Sequence, residues 1–78
     1  MRYQLDLTLR HAEGALARVI GTVERRGFKP VSVDGETQSE GDRWHLRIAV
    51  ESDRPAEALM TQLEKLYDCL AVEVSPCR

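Results

Sequence analysis

Nothing in these 78 residues is long and apolar enough to span a bilayer; no run approaches the roughly 20 consecutive apolar residues that a crossing helix needs. The first residues alternate in polarity at once, with no apolar leader segment, so the expected location is the cytoplasm, with no membrane contact. Cysteine is scarce. Cys69 and Cys77 form no CxxC, which argues against a disulfide scaffold or a structural zinc site. The expectation is two reduced thiols, one partly buried and one on a loose C-terminus. Neither sign of charge dominates: eleven Lys plus Arg stand against thirteen Asp plus Glu. No strong basic field exists to gather phosphate backbones, which argues against nucleic acid. The chain is also too short for two cores, so residues 1–78 are read as a single domain. A domain of this size hides a modest share of its surface, which favours docking or self-association.

What is present is patterned. Tyr3, Leu5, Leu7 and Leu9 alternate with polar neighbours from Arg2 to Arg10, the period of a strand with one buried face. Residues 11–14 break that alternation. Leu16, Val19, Ile20 and Val23 then recur at helical spacing, and Gly27 is placed to close the helix in the left-handed region. A second strand is expected over residues 29–38, with Val31 and Val33 inward and Gly35 a candidate bulge. Residues 39–42 have turn chemistry. Trp44, Leu46, Ile48 and Val50 mark a third strand, and Ser52 to Pro55 start a second helix with an apolar stripe of Ala56, Leu59, Met60, Leu63, Leu66 and Tyr67. Leu70, Val72 and Val74 are expected inward on a last strand that Pro76 stops. The order βαββαβ, with right-handed crossovers, predicts an α+β, ferredoxin-like fold: a four-stranded antiparallel sheet with both helices on one face.

That topology serves many functions, so the sites must decide. An RNA-binding sheet would carry stacking aromatics on its open face; Gln4, Asp6, Arg43, His45 and Arg47 occupy it here, and Trp44 falls on the helix side. A copper chaperone would carry CxxC in the first strand-to-helix loop, where there is none. No nucleophile stands with a base, and the Asp6–Glu73 neighbourhood reads as a solvated or ion-paired surface. No catalytic residue and no metal ligand is assigned. The informative segment is the loop from Leu9 to Ile20. Residues 11–14 hold no Ser, Thr, Asp or Asn to cap the helix, which leaves backbone N–H groups for a carboxylate. Gly14 either admits a ligand close to the backbone or relieves a tight turn.

Three stretches carry a resemblance. Gly-Ala-Leu-Ala-Arg-Val at 14–19 looks like the start of the first helix of an ACT domain. Arg-Arg-Gly-Phe at 25–28 resembles the exit from that helix in the small subunits of acetolactate synthase. Gln62, Leu63, Lys65, Leu66 and Asp68 match those subunits' Gln-Leu-x-Lys-Leu-x-Asp run before the last strand. In length the chain is most similar to the short isozyme II type, a bare ACT domain. The resemblance implies a non-catalytic regulatory or activating subunit in branched-chain amino-acid biosynthesis, partnered by a catalytic large subunit that holds thiamine diphosphate, magnesium and FAD. No cofactor is expected in this chain itself.

It also implies an effector site at His11, Glu13, Gly14, Ala15, Leu16 and Lys29. Here the chain departs from the family pattern: His11-Ala12-Glu13-Gly14 stands for Asn-x-Pro-Gly, and Lys29 for a second Asn. Both amides are lost, and Glu13 brings negative charge toward a ligand carboxylate, so activation with a weak response to valine is expected. A homodimer paired through strand 29–38 into an eight-stranded sheet is the expected assembly. The alternative is a free-standing amino-acid-sensing module that regulates another protein.

Overall fold

The computed structural model describes residues 1–37 and 41–77, the side chain of Cys77 apart. The expected end of strand 2 at Gln38 and the turn residues 39–40 lie outside the described residues. Six elements follow in order: β1 (Arg2–Arg10), α1 (Ala15–Arg25), β2 (Lys29–Thr37), β3 (Arg43–Glu51), α2 (Ala56–Glu64) and β4 (Cys69–Cys77). They build an antiparallel four-stranded sheet of order β2-β3-β1-β4, the ferredoxin-like arrangement. No described helix is long and apolar enough to cross a membrane.

The period-two pattern of β1 sorts the two faces. Leu5, Leu7 and Leu9 are buried and stand opposite Ile48, Leu46 and Trp44 of β3. Val72 joins them from β4, and Val19, Val23, Leu59 and Leu63 close the layer from the helices. Phe28 enters the same core just after α1. Its position is set by a helix stop in which the Phe28 N–H donates to the Val23 carbonyl and the Gly27 N–H to the Glu24 carbonyl, both at 3.1 Å. This pair of bonds is the Schellman closure, and it needs a left-handed residue. Gly27 supplies it at φ 86°.

Ser52 ties this turn to the start of α2. Its hydroxyl donates to the Gly27 carbonyl at 2.9 Å and accepts the Arg54 N–H at 3.0 Å. It thus braces the connection from β3 to α2, while Pro55 occupies the cap position of α2 without a side-chain bond to the helix.

Several expectations fail, or hold only in part, at the margins of the sheet and helices. Val31 and Val33 are 40% and 50% exposed. The register of β2 slips between Pro30 and Ser32, so the irregularity sits at Val31 and not at Gly35. Val33 does face the helical side opposite Ile48, but on an edge strand the helical layer leaves it half uncovered. Leu70 is exposed because the β1–β4 pairing skips it: Thr8 opposes Ala71 and Leu9 opposes Cys69. Tyr67 is 80% exposed because α2 ends at Glu64, before a Tyr67 on helical geometry would reach the core. Leu16, at the first turn of α1, is likewise only partly covered, and Ala15 takes the buried place.

Gly27→Ala tests the closure. An added Cβ would sit 2.5 Å from Arg54 Nε, on a backbone that L-residues avoid. The expected loss is about 1–2 kcal/mol, measured by urea denaturation.

Candidate functional site

The loop between β1 and α1 is held from both sides. The His11 N–H donates to the Asp42 carbonyl at 3.1 Å, and the Arg10 N–H to the Asp68 carbonyl at 2.8 Å. Gly14 caps α1 at φ 77°, with no side-chain bond to the helix. The Ala15 N–H reaches the Ala12 carbonyl at 3.2 Å and the Arg18 N–H the Gly14 carbonyl at 3.0 Å. The two N–H groups between them, of Leu16 and Ala17, have no protein acceptor among the described hydrogen bonds. Uncapped amides at a helix N-terminus favour an anion.

Beside these amides lies an apolar groove that the sequence pattern did not reveal. Leu16, Val33, Gly35, Thr37, Trp44 and Leu46, with Glu36 as the one charged residue, line a space of about 270 Å³. Gly35 lets Leu46 lie close against β2, because a Cβ there would meet Leu46 Cδ1 at 3.0 Å. His11 packs edge-on against Trp44 with ring centroids 4.8 Å apart, closing the loop side. The signal in the sequence was the glycine in mid-strand, explained by the space its missing side chain leaves and not by a bulge. A groove of this size beside two free N–H groups suits a small molecule with one carboxylate and a short apolar side chain.

Of the six expected effector residues, the structure brings five together. His11, Glu13 and Gly14 form the exposed loop, Ala15 is buried beneath it, and Leu16 lines the groove. Lys29 is elsewhere. It pairs in register with Glu51 at the far end of β3, whereas the loop adjoins Arg43 at the near end. Eight strand steps separate these ends, about 27 Å. Glu51 is held below the usual carboxylate range chiefly by the hydrogen bond from Arg2, at 2.6 Å, and by that residue's charge, with a smaller contribution from Lys29.

The approach over Gly14 is also occupied. Arg18 Nη1 lies 2.9 Å from where a Cβ of Gly14 would stand, and Nη2 donates to the Glu13 carbonyl at 2.9 Å. Nε of the same guanidinium donates at 2.6 Å to Asp68, whose carboxylate is buried. Thus Arg18 fastens loop, helix and the α2–β4 turn together, and the side left for a ligand is the groove side. No group of three or more His, Cys, Asp or Glu gathers as a metal site among the described residues. Burial pushes the Cys69 thiol up, away from the reactive thiolate.

The ACT domain model matches residues 11–72, the span from this loop to the middle of β4. The chain belongs to the ACT domain family. Within that family it is 30% identical to the acetolactate synthase isozyme 2 small subunit of Escherichia coli K12, over 95% of this chain and 85% of that one. It is 29% identical to the isozyme 1 small subunit of the same organism, over 88% of this chain and 72% of that one. The acetolactate synthase small subunit of Thermotoga maritima shares the fold, with a TM-score of 0.80 at 22% identity over 95% of this chain and 47% of the other.

Arg18→Ala should strip the buried Asp68 of its partner and cost about 1–3 kcal/mol in thermal denaturation. Adding Asp68→Asn should return part of that loss, because the double variant leaves no unpaired buried charge.

Proposed function

We propose that this ACT domain is a non-catalytic small subunit that regulates and activates an acetolactate synthase in branched-chain amino-acid biosynthesis. The observation that carries this reading is the 30% identity to the isozyme 2 small subunit across 95% of the chain. The described residues fit it: their ionisable groups are mostly exposed or paired within the chain, and the mainly apolar groove beside α1 is suited to hold a ligand rather than to transform it. In this proposal thiamine diphosphate, magnesium and FAD reside on the catalytic large subunit, where two 2-keto acids condense. The small subunit acts by binding the active conformation of its partner more tightly than the inactive one.

Self-association through β2 is part of the proposal. β2 is an edge strand, exposed along nearly its whole length, and its mid-strand holds Val31, Val33 and no lysine. Two-fold antiparallel pairing of two such strands would set a second copy's Lys29 near Thr37, and so near the groove. That pairing is the arrangement in which all six expected effector residues share one site. Glu13 and the two missing amides weaken that site for an amino-acid carboxylate, so we propose a subunit that activates with little response to valine.

The test is acetolactate formation by the catalytic subunit of the same genome, with and without this chain, followed by added valine. Several-fold stimulation that valine leaves in place is expected. Absence of stimulation would overturn the small-subunit reading. Tight valine binding by isothermal titration, or inhibition by valine, would overturn the weak-effector reading alone. Sedimentation velocity should show a dimer that Val33→Lys shifts toward monomer.

A further inference from the structure

At the loop end of the sheet two arginines face each other. Arg10 closes β1 and pairs in register with Arg43, which opens β3; both are exposed. Like charges set directly opposite in a sheet are unfavourable, so the pair calls for a compensating anion. Elsewhere on the open face most arginines and the histidine have a carboxylate close by, and the one facing pair of carboxylates, Asp6 and Glu73, is relieved by cations beside Asp6. Asp6 lies 3.4 Å from Arg47 and 3.6 Å from His45, and Glu51 holds Arg2. Across β2 and β3, Asp34 opposes Arg47 and Glu36 opposes His45. Among the described residues neither Arg10 nor Arg43 has a carboxylate partner, and the nearby Asp68 is taken by Arg18.

Arg10 is also held in place. Nε donates to the Tyr67 carbonyl at 3.3 Å, and the guanidinium carbon lies 4.8 Å from the centre of the Tyr67 ring. The ring itself is 80% exposed. These contacts leave the Nη edge of Arg10 without a protein acceptor among the described residues, and they fix its direction before any partner arrives. Preformed arginine and tyrosine side chains are the groups that dominate protein interfaces, because little side-chain freedom remains to be lost on docking. The net charge of the chain is −2 with both signs dispersed, so two adjacent arginines without a carboxylate partner among the described residues make a local attraction that helps orient an acidic surface.

We propose that the Arg10–Arg43–Tyr67 corner is where a carboxylate-bearing surface of the catalytic large subunit docks. The proposal rests on the small-subunit reading above. It also places docking next to the loop, because Asp68 joins the corner to Arg18 and Asp42 joins it to His11.

The test titrates the chain into the catalytic subunit and records acetolactate formation against chain concentration at low and high salt. Arg43→Glu isolates docking from folding, since Arg43 makes no side-chain hydrogen bond or ion pair among the described residues. The concentration for half-maximal stimulation should rise about tenfold, and further with Arg10→Glu added. The wild-type value should rise with salt, while Arg25→Glu, on the helical layer, should leave it unchanged. Wild-type potency in both reversal variants would overturn the docking corner and leave the small-subunit reading standing. No stimulation by the wild-type chain would remove both. Loss of self-association in Arg43→Glu by sedimentation would assign the corner to contact between copies, and so overturn the proposal.

Discussion

The placement of β1 between two partners is the constraint on which the rest depends. It pairs with β3 on one side and β4 on the other, and its three leucines are sealed. A one-residue slip of β1 would turn those leucines to water and bring Asp6 and Thr8 into the core. Register is therefore fixed from the centre outward. The two slips that do occur, at Val31 in β2 and at Leu70 in β4, lie on the strands at the edges, where an error exposes one side chain and not a row of them.

This explains which parts of the molecule were legible from residues alone. Element order, the helix stop at Gly27 and the core faces of β1 and β3 follow from local rules that burial enforces. Val31, Leu70 and Tyr67 were misjudged as inward, and Val33 faces inward yet stays half exposed, because apolarity is a necessary sign of burial and not a sufficient one. Whether an apolar side chain is covered depends on the width of the helical layer, and no periodicity records that. Gly35 was seen as unusual in a strand, yet its reason lies across the sheet at Leu46.

The candidate site was half visible in the same sense. The missing cap before α1 and a special role for Gly14 were readable from residue type, and the structure adds the left-handed backbone of Gly14 and the free N–H groups of Leu16 and Ala17. The groove was not readable, because its walls come from α1, β2 and β3. Nor was the role of Arg18, which spans to Asp68 fifty positions later and occupies the space that Gly14 opens. A family motif at 14–19 thus contains both a vacancy and the side chain that fills one side of it.

The separation of Lys29 from the 11–16 loop carries a thermodynamic consequence. A ligand that touches both must lie between two chains, since one chain holds them at opposite ends of its sheet. Such a ligand joins its own binding to the association of the chains by mass action. Its apparent affinity would strengthen with chain concentration, and its saturation curve would steepen where monomers still predominate. A ligand confined to the groove of Leu16 and Trp44 would give the same curve at every dilution. The span of one sheet thereby distinguishes a molecule that senses an amino acid from one that also reports how much of itself is present.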